Sequence, residues 1–83
     1  MRVLYFAWVR EAVGLNAEEV APPAEVRTVA DLIDWLSDRS EGHARAFADR
    51  ARLRAAVDQA FVPPDASVAD AAEVAIFPPV TGG

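Results

Sequence analysis

The chain has 83 residues, of which 53% are hydrophobic and 25% are charged, and its formal net charge is −5. This length and composition are typical of one folded domain and exclude a disordered chain. The excess of acidic residues argues against nucleic acid or an anionic membrane as a partner and favours a basic protein surface. The absence of cysteine excludes disulfides and thiolate metal sites, and a single histidine argues against any protein-only metal site.

The N-terminal residues and the apolar runs bear on where the protein resides. The first residues lack the charged region, apolar core and cleavage site of a signal peptide. Every apolar run is far shorter than a membrane span. We therefore expect a cytoplasmic protein. All basic residues are arginine, so the chain offers no lysine side chain as an acceptor for an isopeptide bond.

The opening of the chain predicts a hairpin-like unit with an elaborated turn. Residues 3–9 are apolar on both faces, which is typical of a strand in the middle of a sheet. Residues 10–14 predict a brief helical turn that Gly14 closes. A second, partly exposed strand is expected at residues 18–21, and Pro22 and Pro23 end it.

The strongest local signal predicts a helix over residues 29–39. Thr28 and Asp31 form a capping-box-like pair at its start, with Asp in place of the usual Glu or Gln. The apolar residues that follow recur at spacings of three and four, which places them on one face of a helix. They are Val29, Leu32, Ile33 and Leu36.

A shorter helix is predicted over residues 41–50. His43 lies near its start, has no acid–base partner close in sequence, and is expected to be a solvated surface residue. The only concentration of basic side chains begins in this helix. Because acidic residues surround it, we interpret it as a solvated face rather than a phosphate or nucleic-acid site. It consists of Arg45, Arg50, Arg52 and Arg54.

The second half of the chain predicts the remaining strands. The alternation over residues 53–59 predicts a half-buried strand, and residues 60–62 continue apolar until Pro63 and Pro64. Residues 73–77 predict the last strand. The first and last strands are the most apolar, so we expect them side by side at the centre of the sheet, parallel through a crossover. The predicted fold is α+β of the β-grasp kind, a mixed sheet packed on one main helix.

The last residues have a different character from the body of the chain. Pro78 and Pro79 each fix a backbone angle and predict a semi-rigid stem. Beyond them, residues 80–83 reach about 13–14 Å when extended, at roughly 3.3–3.6 Å per residue. Gly82 and Gly83 have no side chain and fit a slot too narrow for other residues. We therefore predict a domain over residues 1–79 and a flexible tail over residues 80–83 that suits insertion into a partner's active site.

The chemistry available to the chain lies in that tail. Without cysteine or lysine, and with one isolated histidine, self-contained catalysis is not expected. The carboxylate of Gly83, in contrast, can be activated by another enzyme as a mixed anhydride with AMP. An amine, a thiol or a persulfide can then take the acyl group.

Several motifs carry a resemblance to a known family. The terminal residues 77–83 read Phe-Pro-Pro-Val-Thr-Gly-Gly, and Glu-Val-Ala precedes them from residue 73. Leu-Arg-Ala-Ala-Val lies at residues 53–57, and Tyr-Phe-Ala-Trp-Val-Arg-Glu lies at residues 5–11, ahead of Gly14. Over nearly its whole length the chain resembles the MoaD family, the small sulfur-carrying subunits of molybdopterin synthase.

This resemblance implies a ubiquitin-like β-grasp fold and a defined chemistry. A MoeB-like activating enzyme uses ATP to adenylate Gly83, which is then converted to a thiocarboxylate. The tail inserts into a MoaE-like large subunit and donates sulfur to the cyclic pyranopterin monophosphate precursor, which forms the dithiolene of molybdopterin. In the family, two small subunits flank a dimer of large ones, a heterotetramer. The small subunit itself binds no cofactor or metal.

The resemblance also assigns roles to the last seven residues. Gly83 is the sulfur acceptor and donor, and Gly82 is the spacer that fits the slot. The stem that the partner recognises is Phe77, Pro78, Pro79, Val80 and Thr81. The chain departs from the family before the last strand, where relatives commonly place Gly-Asp. It has Ala71 and Ala72 there, which would be strained if that turn requires a positive φ.

Three other functions remain compatible with the tail. The same adenylate serves a protein modifier that forms isopeptide bonds to lysines of its targets. It also serves a sulfur carrier for thiamin or cysteine synthesis, although the Pro-Pro-Val-Thr stem favours the molybdopterin hypothesis. A plain interaction module with an accidental Gly-Gly end would tolerate deletion of Gly83.

Overall fold

A computed structural model of the protein describes residues 1–79 and contains a sheet of five strands in the order β2-β1-β5-β3-β4. The strands are β1 (Arg2–Tyr5), β2 (Ala17–Glu19), β3 (Arg54–Val57), β4 (Ala60–Val62) and β5 (Glu73–Phe77). The helices are α1 (Ala7–Val13), α2 (Val29–Ser37) and α3 (Glu41–Ala46), and a 3-10 turn follows at Arg50–Arg52. This architecture confirms the predicted α+β, β-grasp-like fold.

The centre of the sheet is the parallel pair of β1 and β5. Val3 pairs with Val74 and Tyr5 with Ile76, and all of these side chains are buried. On its other side β5 pairs antiparallel with β3. The expectation that the first and last strands lie adjacent and parallel at the centre is therefore confirmed. β5 is the middle strand of the five and has a hydrogen-bonded neighbour on both sides.

The strands alternate between a core face and an outer face. In β5, Val74 and Ile76 are fully buried, whereas Ala75 and Phe77 lie on the opposite face and are half-buried. Valines, leucines and aromatic rings from the helices and neighbouring strands complete the core on the Val74 side. Each such side chain contributes about 1.5–3 kcal/mol when it is fully buried, as an upper estimate.

The main helix α2 forms as its sequence predicts, although it ends two residues early at Ser37. The Thr28 hydroxyl accepts a hydrogen bond from the Asp31 backbone N–H, and the Asp31 carboxylate accepts from the Thr28 backbone N–H, which completes the capping box. Its four predicted apolar residues are all buried. No helix among residues 1–79 has the length and apolar character that crossing a membrane requires.

The prediction of one strand over residues 3–9 is wrong, because β1 ends at Tyr5 and α1 begins at Ala7. Ala7 has a φ of +54°, so the chain turns sharply between strand and helix. A run that is apolar on every side fits either structure, so periodicity alone did not separate them. Gly14 does close the helix as predicted, with a φ of +88° and an N–H that donates to the Arg10 carbonyl.

The apolar stretch at residues 53–62 folds as a hairpin rather than as one continuing strand. Asp58 and Gln59 separate β3 from β4 and have φ values of +48° and +73°, which is the backbone of a type I′ turn. The Asp58 carboxylate also accepts hydrogen bonds from the backbone N–H groups of Ala72 and Glu73, each at 3.0 Å. The hairpin turn is thereby tied to the start of β5.

The residues before β5 also show whether Ala71 and Ala72 have the strained backbone that the sequence comparison raised. The residue with a positive φ before β5 is Asp70, at +60°, whereas Ala71 and Ala72 are outside the left-handed region. Aspartate tolerates this conformation better than most residues. The expected strain at the two alanines is therefore absent.

Helix α3 is shorter than predicted, since it ends at Ala46 rather than at residue 50. Gly42 in this helix lies against α1, and a Cβ atom added to it would approach the Ala12 carbonyl oxygen to 2.4 Å. A backbone carbonyl oxygen inside a helix cannot move aside to relieve this contact, whereas the end of a flexible side chain could. The close packing of α1 on α3 therefore requires glycine at this position.

We expect Gly42→Ala to lower the free energy of unfolding by about 1–3 kcal/mol, because the added methyl overpacks the α1–α3 contact. Helix propensity alone predicts the opposite sign, a gain of about 1 kcal/mol. Urea unfolding measures the difference. Ala44→Gly, at an exposed position of the same helix, is the control and loses about 1 kcal/mol through propensity only. An alanine variant at 42 as stable as the parent would contradict the packing argument.

Candidate functional site

The stem of the predicted tail leaves directly from the central strand. β5 ends at Phe77, and Phe77, Pro78 and Pro79 are half-buried against the domain. All peptide bonds of the described residues are trans, including those before the two prolines. The other predicted site residues, Val80, Thr81, Gly82 and Gly83, lie outside the described residues.

Three phenylalanines lie near the end of β5, where the stem begins. Phe61 and Phe77 have ring centroids 5.6 Å apart and a tilt of 49° between their planes. The Phe6 backbone N–H donates to the Ile76 carbonyl, which places Phe6 beside the end of β5. Phe61 is 80% exposed and Phe6 46% exposed. We call these residues, Phe6, Phe61 and Phe77, the phenylalanine surface.

The strand register explains why this surface stays exposed. Phe61 pairs with Ala56, and Ala56 pairs with Ala75, so small side chains continue the outer face of the sheet across three strands. A large ring beside alanines has little to pack against. Exposed aromatic rings grouped on one face are typical of protein–protein contact sites. The arrangement therefore offers a docking site that adjoins the tail.

Sequence reasoning identified Phe77 but missed Phe6 and Phe61 as site residues. Phe6 was assigned to a buried strand that ends one residue earlier, and Phe61 to a continuing apolar strand. The signal that could have identified Phe61 is the composition of the outer face of the sheet. The alanines at 56 and 75 are too small to cover its ring. Using that signal requires the strand register, which the sequence alone does not supply.

The arginine cluster is exposed, as predicted. Arg54 pairs with Phe77 across β3 and β5, and its guanidinium donates to the carbonyls of Ala51 and Leu53 at 3.1 and 2.8 Å. Arg50 forms an ion pair with Asp34. Arg54 thus places positive charge next to the phenylalanine surface on a protein whose net charge is −5.

The prediction that His43 is a solvated residue is wrong. His43 is only 4% exposed, and its Nε2 lies 2.7 Å from a carboxylate oxygen of Glu18, which is distant in sequence. Its Nδ1 lies 2.7 Å from the Ser40 hydroxyl. With a proton on Nε2, the imidazole donates to Glu18 and accepts from Ser40, so both nitrogens have partners. Burial is possible because the fold brings Glu18 from β2 to α3.

The hydrogen-bonded series of Ser40, His43 and Glu18 resembles the catalytic triad of a hydrolase, but its geometry indicates a structural role. The Ser40 hydroxyl caps α3 by accepting the His43 backbone N–H at 3.1 Å, which occupies it locally. The burial of His43 leaves no access for a substrate. The network holds β1, β2 and α3 together, since the Tyr5 hydroxyl also donates to Glu18 at 2.7 Å.

The charges in this network shift two pKa values in opposite directions. Burial, then the hydrogen bond and negative charge of Glu18, raise the pKa of Tyr5. Burial alone opposes ionisation of Glu18, but the hydrogen bonds from His43 and Tyr5 and the charge of Arg39 outweigh it and lower the pKa of Glu18. The Arg39 guanidinium donates to Glu18 at 3.0 Å. The ionised carboxylate is therefore the stable form in the folded protein.

Among residues 1–79, no three side chains of the His, Cys, Asp and Glu types are arranged to hold a metal ion. What the described residues do form is a rigid base for the tail. The central strand fixes the stem, and the phenylalanine surface and Arg54 surround it. This arrangement can present a chain terminus to another protein.

Comparison with known proteins identifies the family. The model of the ThiS family matches residues 3–83. The chain belongs to the ThiS family. It is 47% identical to the molybdopterin synthase sulfur carrier subunit of Escherichia coli, a match that covers all of this chain and 99% of that protein. The sulfur carrier subunit of Haemophilus influenzae is 31% identical over the same extent.

Solved structures place this ThiS family member in the same fold. A protein of Pyrococcus furiosus assigned as molybdopterin converting factor subunit 1 superposes with a TM-score of 0.73 at 31% identity, covering 95% of each chain. SAMP1 of Haloferax volcanii gives a TM-score of 0.71 at 25% identity and covers all of this chain and 98% of that one. These likenesses confirm the family resemblance inferred from the sequence motifs.

The buried network makes stability fall in acid. Since the pKa of folded Glu18 lies below its ordinary value of 4.5, its carboxylate stabilises the fold above that pH and loses this contribution as the pH falls further. We expect Glu18→Gln to cost about 1.5–3 kcal/mol at neutral pH, because it removes charge-assisted hydrogen bonds, and to lose less stability than the parent between neutral pH and pH 3.

Urea unfolding at a series of pH values measures this dependence. Glu25→Gln, at an exposed site, is the matched control and keeps the acid dependence of the parent. An acid dependence that is as steep in Glu18→Gln as in the parent would show that this carboxylate is not stabilised by its partners.

Proposed function

We propose that this protein is the sulfur carrier subunit of a molybdopterin synthase and that Gly83 carries the sulfur. The observation that supports this most is the similarity to curated sulfur carrier subunits along the entire chain, which includes the terminal Gly-Gly and its stem. The exposed aromatic residues around the stem agree with a protein that works by docking and insertion.

The proposed chemistry begins at the carboxylate of Gly83. A carboxylate resists nucleophiles because it is charged and resonance-stabilised. An activating enzyme removes both obstacles when the carboxylate attacks the α-phosphate of ATP and releases pyrophosphate. Sulfide that attacks the acyl carbon displaces AMP and leaves a thiocarboxylate directly. A persulfide that attacks through its outer sulfur displaces AMP and leaves an acyl disulfide, which a thiol reductant then cleaves to the thiocarboxylate and the thiol of the donor. With no cysteine in the chain, the sulfur it carries has no other covalent site.

The proposed partner is the large subunit of the synthase, which supplies the pterin site. The tail, Val80 to Gly83, inserts into a narrow channel that leads to that site. Gly82 has no side chain, so it fits where the channel is too narrow for other residues. The thiocarboxylate sulfur bonds to the cyclic pyranopterin precursor, and water then attacks the acyl carbon of Gly83, which breaks the bond to sulfur and returns Gly83 to a carboxylate. Because the stem continues a central strand, little entropy is lost in positioning its first residues.

The phenylalanine surface is the proposed docking site for the partner. Phe61 is the most exposed large apolar side chain of the described residues and lies beside Phe77. Burying such rings at an interface supplies binding energy without requiring the tail itself to bind tightly. The large subunit and the activating enzyme both need access to Gly83, so both are expected to use this surface in turn.

The competing functions share the activation step and differ in the acceptor. A protein modifier would transfer Gly83 to a lysine of a target, and a thiamin-type carrier would give up its sulfur to a different precursor. The relatives that match over the full length favour the molybdopterin acceptor.

The first test uses the protein in two chemical forms. Cleavage of an intein fusion with sulfide produces a Gly83 thiocarboxylate, and hydrolysis produces the ordinary carboxylate. With the large subunit and the pterin precursor, we expect the thiocarboxylate form to yield molybdopterin and the carboxylate form to yield none. Product is measured as its fluorescent oxidation derivative.

The matched control is a thiocarboxylate on Gly82 with Gly83 deleted. It shortens the tail by about 3.5 Å and is expected to lower the rate by 10²-fold or more, since even a 1 Å misplacement can have that effect. Equal rates for the full and shortened tails would contradict the role of Gly83, and absence of product from the full thiocarboxylate would contradict the molybdopterin assignment.

A second test concerns docking. Phe61→Asp is expected to weaken binding to the large subunit by about 30-fold, the effect of a contact worth about 2 kcal/mol. Because the ring is exposed, the unfolding free energy is expected to fall by only about 0.5–1.5 kcal/mol, the worth of its contact with Phe77. Calorimetric titration measures the affinity. Ala69→Asp, near the opposite end of β5, adds the same charge and is expected to bind like the parent. Similar affinities for the two variants would exclude Phe61 from the interface.

A further inference from the structure

A groove of about 360 Å³ lies between α2 and the β3–β4 side of the sheet. Most of its lining is apolar, and Pro63 and Pro64 border it after the end of β4. The deeper apolar residues are Val29, Ile33, Leu53, Ala55 and Val62. A cavity of this size and character accommodates one large apolar side chain or a small ligand.

The strand beside the groove is at the edge of the sheet. β4 pairs with β3 and has no second partner among the strands of residues 1–79. The backbone groups on its free side are therefore available to a further strand. An extended peptide that adds to such an edge gains main-chain hydrogen bonds, and alternate side chains enter the adjoining pocket.

The charges around the groove differ from those of the whole protein. Although the net charge is −5, the charged residues that line the groove are Arg50 and Arg54. Arg50 is paired with Asp34, whereas the ion pairs within residues 1–79 do not include Arg54. The Arg54 guanidinium is held by backbone carbonyls and keeps further N–H donors. A carboxylate from outside is the complementary group.

The groove is also continuous with the phenylalanine surface. Arg54, Ala55 and Val62 line it and also line a shallower hollow that Phe61 and Phe77 complete. A protein bound at the phenylalanine surface therefore has a direct path along β4 into the groove. This continuity favours a segment of that same partner as the occupant of the groove. It favours a free small molecule or a second copy of this acidic chain less strongly.

We propose that the groove receives an extended segment of the large synthase subunit, the partner implied by the relatives' name as a synthase subunit, when that subunit docks on the phenylalanine surface. The segment pairs with the free edge of β4, places an apolar side chain between α2 and Val62, and sets a neighbouring carboxylate against Arg54. This inference rests on the proposed function, because the phenylalanine surface brings the partner to the groove. It adds a second contact that the tail and its stem do not provide.

The test compares charge-matched variants of the full chain. Ala30 is exposed and lines the groove, so Ala30→Glu blocks it and repels a carboxylate, whereas Ala44→Glu adds the same charge on α3. Arg54→Glu and Arg45→Glu form a second matched pair. Calorimetry measures the affinity of each variant for the purified large synthase subunit and for the purified activating enzyme.

We expect Ala30→Glu and Arg54→Glu to weaken binding to the large subunit by about tenfold or more, and the two controls to stay within about twofold. A loss of affinity confined to the activating enzyme would assign the groove to that protein and overturn the proposal. Amide hydrogen exchange on the parent complex is the second readout. The proposal expects slower exchange in β4, which a purely electrostatic effect would not produce. Thermal unfolding confirms that each variant is folded. If Ala30→Glu does not fold, the amide exchange of β4 in the parent complex decides the test, because Arg54 adjoins the phenylalanine surface as well as the groove.

The outcomes separate this inference from the proposed function. If the parent binds both proteins and the groove variants bind as well as their controls, the groove proposal is overturned and the proposed function stands. If β4 exchange is unchanged in the complex, strand addition is overturned. If the parent binds neither protein, the proposed function fails and the groove proposal fails with it. Altered self-association of Ala30→Glu, with normal partner binding, would assign the groove to a second copy instead.

Discussion

The parallel pairing of β1 with β5 is the constraint on which the rest of the structure depends. Two strands from opposite ends of the domain can lie parallel and adjacent only if the chain between them crosses over one face of the sheet. That crossover carries α2 and α3, which cover the core face. The other face is left to small side chains and exposed rings. The same pairing brings Phe6, just after β1, next to the end of β5.

This topology explains how a small domain presents a reactive terminus. The stem leaves from a strand that is hydrogen-bonded on both sides, so the fixed part of the molecule extends to Phe77. Phe61 and Arg54 lie beside that point. Under the proposed function, docking energy and reactive chemistry are separated, because the folded domain would bind the partner and the terminal glycines would enter the site where sulfur is transferred.

Much of the fold follows from local signals in the sequence. Thr28 and Asp31 fix the start of α2, and a regular apolar stripe defines its buried face. β5 has the predicted bounds because turn-forming residues and prolines flank it. The strand prediction was wrong for residues 6–9, because the unbroken apolar run contains no periodicity to distinguish strand from helix, whereas the predicted helical turn from residue 10 lies within α1. The β3–β4 turn was not predicted because neither Asp58 nor Gln59 is glycine, which is the usual sequence signal for a type I′ turn.

The candidate site also has one part that local sequence predicts and another part that depends on long-range contacts. The terminal motif is readable because its chemistry lies in consecutive residues. The phenylalanine surface depends on strand register, and the burial of His43 depends on Glu18, which is 25 residues away. Long-range partners of this kind leave no trace in local patterns. The sequence of one chain therefore indicates what the tail does more directly than where its partners bind.

The measurement that tests the central claim most directly is the mass of the C-terminal peptide after the protein is incubated with its activating enzyme, ATP and a sulfur source. The account predicts that one oxygen of Gly83 is replaced by sulfur and that omission of ATP prevents the change. An unmodified Gly83, with the same enzyme shown to load another carrier, would contradict it.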